Sequence, residues 1–122
     1  MLDHLGFTVS DFQASRAFYA TALAPLGVGV LMEFGEHAGF GRDGKPDFWI
    51  GAGGKPAGRL HVAFTARNRE EVRAFHAAAL AAGATDNGEP GLRPDYHPHY
   101  YGAFVIDLNG HNIEAVCHSP EA

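Results

Sequence analysis

Two histidines and one glutamate have the types and the sequence context that a metal site requires. His4 and His61 occupy the same place in two similar segments, and Glu114 lies in an alternating segment further along the chain. Two neutral imidazoles and one carboxylate suit Fe(II), Mn(II), Ni(II), Co(II) or Zn(II) and leave coordination positions open for a substrate. The alternative interpretation makes His4 a surface residue near the terminus, His61 a hydrogen-bonded core histidine and Glu114 an edge-strand charge. We favour the metal site because both copies of the repeat place a histidine at the same strand position.

The two histidines belong to an internal repeat. Residues 4–24 align with residues 61–81 without a gap, and the matches include one His, two Phe, one Thr, one Arg and one Leu. Self-similarity of this kind indicates one supersecondary unit that is used twice. We therefore predict a single α+β domain of two tandem βαβββ modules, at about residues 1–57 and 58–122, with a curved mixed sheet around a central cleft.

Hydrophobic periodicity predicts the elements of each module. The first helix should start at Ser10, which has capping-box spacing to Gln13, and the second at Asn68, which has the same spacing to Glu71. The helices should end near Ala24 and Ala82. The predicted strands are 2–10, 28–34, 37–41, 47–51, 60–66, 85–89, 102–107 and 112–117.

Strand alternation places the candidate ligands on the sheet faces opposite the helices. In the first strand Leu5 and Phe7 form part of the apolar set, so His4 should lie on the other face, and the same holds for His61. In the last strand Ile113 should pack inward, which turns Glu114 outward. If a pseudo-two-fold axis relates the modules, His4 and His61 can meet across it, and Glu114 can join them.

The segment 88–101 is predicted to be a long loop rich in Pro and Gly, and loops of this length often act as lids or binding loops. His97 or His99 could serve as an acid or base there, because imidazoles titrate near neutrality. Tyr100 or Tyr101 could donate a hydrogen bond to an oxyanion. A solvated, proline-stiffened surface loop explains the same residues equally well. The candidate substrate-binding residues are Phe34, Phe48, Trp49, Arg93, Tyr96 and Tyr100. Core packing could explain at least two of the first three, Phe34, Phe48 and Trp49.

The remaining histidines and the cysteine carry less chemistry. We expect His37, His76 and His111 at the surface, although His111 could instead support Glu114 from the turn that precedes it. The sequence suggests no partner for His118. Cys117 is the only cysteine, so no disulfide can form within the chain, and we expect it to be buried and inert.

Composition excludes several classes of function. The chain has 122 residues, of which 46% are hydrophobic, and a formal charge of −5. Its nine Lys and Arg residues are scattered, which argues against nucleic acid as a partner. No apolar run is long enough to span a bilayer, and no signal peptide is recognised. We expect a cytoplasmic protein.

Three segments resemble the glyoxalase/bleomycin resistance/dioxygenase proteins of the vicinal oxygen chelate superfamily. They are residues 2–19, the start of the second module at 61–64, and the D-x-x-G-x-x-I-E strand at 107–114. The resemblance implies paired βαβββ modules, a divalent metal between them in the enzymatic branches, and a homodimer. It assigns three of the family's four metal positions to His4, His61 and Glu114.

The fourth metal position departs from glyoxalase I. Its counterpart falls near Phe48 or Trp49, where no carboxylate stands. The pattern is therefore closer to extradiol dioxygenases and to fosfomycin-modifying transferases. The transferases also bind a phosphonate through cationic residues, for which Arg93 is a candidate.

Two functions follow from these observations. The first is a metal-dependent enzyme acting on a small oxygen-rich substrate, either by lyase or isomerase chemistry or by dioxygenase chemistry. The second is a metal-free binding or sequestering protein of the bleomycin-resistance type, in which the cleft holds a small molecule without reaction. The fold alone does not decide between them.

Overall fold

Eight strands and two helices make up the fold, in a computed structural model that describes residues 1–56 and 58–120. A short 3₁₀ turn, Ala24–Leu26, follows the first helix. In the first module the elements are β1 Leu5–Thr8, α1 Phe12–Leu23, β2 Gly29–Phe34, β3 His37–Arg42 and β4 Lys45–Gly51. In the second they are β5 His61–Thr65, α2 Arg69–Ala81, β6 Thr85–Leu92, β7 Tyr101–Ile106 and β8 Asn112–Cys117.

Each module contributes one mixed four-stranded sheet. The strand orders are β1-β4-β3-β2 and β5-β8-β7-β6, and the first pair in each sheet is parallel. The helix supplies the crossover between strands that a parallel pair needs. These two equivalent sheets confirm the predicted α+β fold of two βαβββ modules.

The two helix starts show one correct and one wrong prediction. The Asn68 side chain caps α2 by accepting the backbone N–H of Glu71, as predicted. In α1 the cap is Asp11 rather than Ser10, and the Asp11 carboxylate accepts the N–H of Ala14. Ser10 instead donates its hydroxyl to the side-chain oxygen of Asn109, so this residue joins the two modules.

A shared core lies on the helix side of both sheets, where α1 packs against α2. Phe48 of the first module and Phe64 of the second meet edge to face, with ring centroids 5.1 Å apart. The phenol of Tyr19 in α1 donates to the buried carboxylate of Asp107, just before the turn into β8. Burial and this carboxylate raise the pKa of Tyr19 far above its ordinary value. The modules therefore form one unit.

The segment 88–101 is shorter as a loop than predicted, because β6 continues to Leu92. The pairing of β6 with β7 shifts register between Asp86 and Gly88 and again between Gly88 and Gly91. Such irregularities destroy the alternation by which a strand is recognised in a sequence. Residues 93–100 form the actual connection.

The turn between β3 and β4 is also shorter than predicted. Asp43 and Gly44 make it alone, with φ of 58° and 80°, as a tight hairpin turn of mirror-image type requires.

Two histidines expected at the surface are buried. His111 is 0% exposed, and its Nδ1 accepts the backbone N–H of Leu60. His76 is buried in α2 and contacts Asp86 of β6 at 2.9 Å. Both predictions were wrong: the partner of His111 is 51 residues away in the sequence, and the partner of His76 lies on the strand that follows α2. Cys117 is buried, as predicted. Within the described residues no helix is long and apolar enough to cross a membrane.

Candidate metal and substrate site

A buried glutamate is the centre of the site. Glu114 lies in the middle of β8, and its side chain points away from the helices because its neighbours Ile113 and Ala115 pack in the core. It is nevertheless only 1% exposed. Its two oxygens face two different side chains, with Oε1 2.9 Å from His61 Nε2 and Oε2 accepting from the phenol of Tyr100. A buried carboxylate needs such partners, because desolvation of an unpaired one is costly.

The His61–Glu114 pair fits a metal ion. Two ligands that are each about 2.1 Å from a metal and at right angles to it lie about 3 Å apart. The observed 2.9 Å between His61 Nε2 and Glu114 Oε1 is a hydrogen-bond distance that is also close to that separation. The His61 side chain is 53% exposed, so its open side is accessible. Imidazole and carboxylate are donors that Mn(II), Fe(II), Ni(II), Co(II) and Zn(II) accept.

Tyr100 closes the site from the 93–100 loop. Its approach to Glu114 depends on Gly102, since a Cβ there would lie 3.1 Å from Oε2 and 3.2 Å from the Tyr100 ring. Burial and the hydrogen bond to Glu114 raise the pKa of Tyr100 well above its ordinary value. Tyr100 therefore stays protonated near neutrality and acts as a hydrogen-bond donor.

Arg93 provides a positive charge on the same side of the module. Its guanidinium lies 5.3 Å from the centre of the Phe104 ring, and Nη2 donates to the carbonyl of Glu89 at 2.8 Å. The His61 ring approaches the same Phe104, at 6.1 Å between centroids. Across the described residues Arg93 forms no ion pair with a carboxylate. The fixed guanidinium is therefore available to an anionic ligand.

A histidine of the loop pairs with one beyond β8, and sequence reasoning found only the first of the two. His97 Nε2 lies 2.6 Å from Nδ1 of His118, and the two rings stack with their planes 23° apart. Both rings meet Tyr100 edge to face. His118 follows β8 directly, so register with Glu114 was the signal that could have found it. The predicted His99 donates its backbone N–H to His97 Nδ1.

The third predicted metal ligand lies elsewhere in this chain. His4 precedes β1, and its Nδ1 contacts Asp3 at 2.8 Å. It borders a cavity of about 280 Å³ that is also lined by Arg42, Phe48 and strand β5. Neither His61 nor Glu114 lines that cavity. Within the described part of a single chain, no three His, Cys, Asp or Glu side chains are arranged to hold a metal ion.

The first module carries an aromatic surface in place of a second carboxylate. Trp49 pairs with Gly6 in β1 just as Glu114 pairs with Ala63 in β5, so Trp49 is the counterpart of Glu114. Its indole covers Gly39, where a Cβ would lie 2.7 Å from the ring. Phe34, which is 60% exposed, lies 5.9 Å from Trp49 and stacks on His37. We call Phe34, His37 and Trp49 the aromatic shelf.

The other predicted site residues are dispersed. Phe48 is buried in the core, whereas the other two aromatic residues predicted in this module, Phe34 and Trp49, are not. Tyr101 lies against Arg69 and Arg73 of α2, and its hydroxyl accepts from Arg73 at 3.2 Å. That position is on the helix side of the sheet, away from Glu114. Tyr96 is exposed and packs edge to face on Tyr100.

The fold consists of two βαβββ modules in tandem, and a histidine stands at the same place in each. This arrangement defines a class of paired-module proteins. The family comparison matches residues 1–115 to the Glyoxalase/Bleomycin resistance protein/Dioxygenase superfamily. The chain belongs to this superfamily, as its sequence segments predicted. No curated protein matches it significantly.

Solved structures agree with the fold. A glyoxalase/bleomycin resistance protein from Albidiferax ferrireducens is 29% identical, with a TM-score of 0.81 and coverage of 95% of this chain and 97% of that one. A glyoxalase/bleomycin resistance protein/dioxygenase family enzyme from Burkholderia phytofirmans is 19% identical, with a TM-score of 0.72 and coverage of 97% and 98%. A mutant of the fosfomycin resistance protein FosX from Listeria monocytogenes, in complex with Mn(II) and 1S,2S-dihydroxypropylphosphonic acid, is 20% identical, with a TM-score of 0.69 and coverage of 95% and 88%.

Proposed function

We propose that this protein is a metal-dependent enzyme that acts on a small substrate with adjacent oxygen atoms. The observation that carries the proposal is the buried Glu114 carboxylate facing the accessible His61 Nε2 at 2.9 Å. A carboxylate buried for structural reasons alone is costly, and apolar residues at such a position commonly stabilise a protein more. A divalent metal held between these groups gives the carboxylate a function.

His4 of a second copy of the chain is the proposed third ligand. Within the repeat, His4 is the counterpart of His61, but a single chain leaves it beside Asp3. The exposed Phe34 on the outer face of the first sheet is surface that a second copy can cover. A homodimer with two-fold symmetry would pair the first module of one copy with the second module of the other, and it would make two equivalent sites.

The proposed chemistry divides between the metal and the chain. When bound, the metal would supply Lewis-acid stabilisation of a developing oxyanion or, with Fe(II) and O₂, oxygenase chemistry. Tyr100 donates a hydrogen bond to Glu114 and thereby orients the carboxylate. Arg93 offers a charge for an anionic substituent of the substrate, and its attachment to Phe104 and Glu89 keeps it in place. Two imidazoles, those of His97 and His118, lie against Tyr100 and are the candidate proton carriers, with ring centroids 5.5 Å and 5.2 Å from that of the tyrosine.

One solved structure with the same fold supports a metal and an oxygen-rich ligand. FosX binds Mn(II) together with a dihydroxypropylphosphonic acid, a ligand with adjacent oxygens and an anionic group. We extend to this chain the class of ligand only. The absence of a carboxylate at Trp49 favours the three-ligand arrangement over the four-ligand site of glyoxalase I.

Metal content measured by mass spectrometry tests the proposal. Tag-free protein would be purified anaerobically without chelator, beside folded His61→Ala and Glu114→Ala variants and a Glu33→Ala control. Near-stoichiometric metal in the wild type and the control, lost in both site variants, is the expected result. No metal after reloading with Fe, Mn, Ni, Co and Zn would overturn the proposal.

A metal-free binding protein is the second candidate, and the aromatic shelf favours it. Exposed Phe34, together with the stacked His37 and with Trp49 tilted by 54° from it, offers an apolar surface to an aromatic molecule. Calorimetry with planar aromatic compounds would discriminate the two functions. Micromolar binding that Trp49→Ala abolishes and chelator leaves unchanged supports sequestration, whereas binding that needs a metal supports the enzyme.

A further inference from the structure

Asp3 stands directly before the proposed metal ligand His4 and contacts its ring. Nδ1 of His4 lies 2.8 Å from Oδ1 of the Asp3 carboxylate. An ionised carboxylate can only accept hydrogen bonds, so Nδ1 is the donor and carries a hydrogen. A neutral imidazole has a hydrogen on one nitrogen alone, which leaves Nε2 of His4 unprotonated. The contact with Asp3 thus assigns the tautomer in which Nε2 has a lone pair for a metal.

Lys45 holds the Asp3 carboxylate in place. Its Nζ donates to the backbone carbonyl of Asp3 at 2.7 Å and lies 3.3 Å from Oδ1, the same oxygen that His4 contacts. Lys45 begins β4, and its backbone lies so close to β3 that a Cβ on Gly41 would be 2.1 Å from the Lys45 carbonyl oxygen. The segment before β1 belongs to no strand, but this lysine ties it to a closely packed hairpin.

The second copy of the repeat presents its histidine by different means. The residue that aligns with Asp3 is Leu60, which has no carboxylate. His61 instead has Oε1 of Glu114 at 2.9 Å from its Nε2, so another candidate ligand of the same module orients it. His4 has no candidate ligand beside it among the described residues of its own chain. A residue outside the ligand set must therefore orient the His4 ring.

A carboxylate that accepts the second N–H of a metal-binding histidine strengthens the site in two ways. It keeps the ring in one tautomer and orientation, and it raises the basicity of the nitrogen that binds the metal. The His4 side chain is 60% exposed, so without such a partner its ring would be free to rotate. In the proposed dimer His4 has to bind in the site of a second copy. A ring that is oriented beforehand loses less conformational entropy in that step.

We propose that Asp3 is a positioning residue, which accepts the Nδ1 hydrogen of His4 and thereby presents Nε2 to the metal, while Lys45 fixes Asp3. The contact between Asp3 and His4 is retained, and not broken, when His4 enters the site of a second copy. The proposal rests on the proposed function for the metal. It does not rest on it for the tautomer, which is a property of the metal-free chain.

The tautomer of His4 in metal-free protein tests the proposal independently of any metal. Long-range ¹H–¹⁵N spectra at about pH 8.5, where imidazoles are ordinarily neutral, show which ring nitrogen carries the hydrogen. A His4→Ala variant identifies the His4 signals. Wild type should have the hydrogen on Nδ1, and Asp3→Ala should show both tautomers because the acceptor is gone. Asp3→Asn retains an acceptor oxygen and should resemble wild type, as should the control Glu33→Gln, which removes a carboxylate elsewhere in the same module.

Titration with Co(II) tests the effect on the metal site, at protein concentrations where the variants and wild type have the same molecular mass in solution. Asp3 is 72% exposed, so its replacement leaves the core intact. We expect Asp3→Ala to bind Co(II) about 10- to 100-fold more weakly than wild type, the usual effect of removing such a carboxylate. The affinity of Asp3→Asn should lie between the two. Lys45→Ala should lose less affinity than Asp3→Ala, because the carboxylate itself remains.

Two results would overturn the proposal. One is a His4 tautomer that is the same in Asp3→Ala as in wild type, and the other is Co(II) binding by Asp3→Ala that equals wild-type binding. A wild type that binds none of Fe, Mn, Ni, Co and Zn would instead refute the proposed function. The tautomer spectra would then still decide whether Asp3 controls the His4 ring.

Discussion

Replacing Glu114 by glutamine separates a metal-binding role from a structural role. Glu114 is 1% exposed and has two side-chain partners, His61 and Tyr100. An amide of the same shape keeps an oxygen for the Tyr100 hydroxyl, and its NH₂ can donate to an unprotonated His61 Nε2. We therefore expect the free energy of unfolding of metal-free Glu114→Gln to lie within about 1 kcal/mol of the wild-type value. The free energy of unfolding should exceed the wild-type value if the gain from removing a buried charge outweighs the loss of its hydrogen bonds.

The metal-bound state should behave differently. A ligand present at about 100 times its Kd stabilises the folded protein by about 2.7 kcal/mol. For a chain of 122 residues this corresponds to an increase in Tm of about 10 °C. Wild type should gain this increment with the correct metal, and Glu114→Gln should gain little or none because an amide is a weak ligand.

Thermal and urea unfolding with and without metal would measure both effects. Glu33→Gln is the matched control, since it removes a carboxylate that pairs with Arg16 in the first module. The reasoning is refuted if Glu114→Gln loses more than about 3 kcal/mol without metal and no metal raises the wild-type Tm. The carboxylate would then be part of the scaffold.

Three further predictions concern stability and titration. Tyr19→Phe should lower the free energy of unfolding by about 1.5–3 kcal/mol, since it leaves the buried Asp107 without its phenol donor; urea denaturation measures this, and a loss below about 0.5 kcal/mol contradicts it. Absorbance titration should show two phenols, those of Tyr19 and Tyr100, ionising well above the ordinary range of tyrosine, because burial and a neighbouring carboxylate raise each pKa. A phenol whose pKa is higher in the folded protein than in the unfolded chain stabilises the fold at every pH below its unfolded pKa. This contribution should be lost as the pH rises beyond about 10. Bonds from the Gly88 amide and His76 lower the pKa of Asp86, so its contribution should be lost as the pH falls through the acidic range, and Asp86→Asn should show a smaller drop in urea midpoint between pH 7 and 3.5 than wild type.

Local signals in the sequence were sufficient for the fold. The repeat around His4 and His61 predicted two equivalent modules, and strand alternation predicted that Ile113 would face the core and Glu114 the opposite side. The cap at Asn68 was correct because the capping pattern is local. The predictions failed where a partner is distant in the chain. Burial of His111 depends on the backbone of Leu60, which no local pattern reveals.

The candidate site was predictable in type but not in assembly. The repeat was enough to select His61, and strand alternation was enough to select Glu114; the two side chains lie 2.9 Å apart. Periodicity in the sequence does not reveal how the modules pack against each other. In a single chain His4 contacts Asp3 and not His61 or Glu114. His118 was without a predicted partner because the loop that carries His97 folds back over 21 residues of chain to reach it. Irregular pairing of β6 likewise concealed where that loop begins.

Metal binding by a mixture of two inactive variants tests the central claim most directly. His4→Ala and Glu114→Ala would be unfolded, mixed in equal amounts, refolded with metal and freed of excess ion. If His4 of one copy completes the site of the other, random pairing makes half of the dimers mixed, each with one intact site, and the mixture should hold about a quarter of the wild-type metal. Each variant alone should hold little. A mixture that binds no more metal than the separate variants, beside wild type that recovers its metal after the same treatment, would contradict the account.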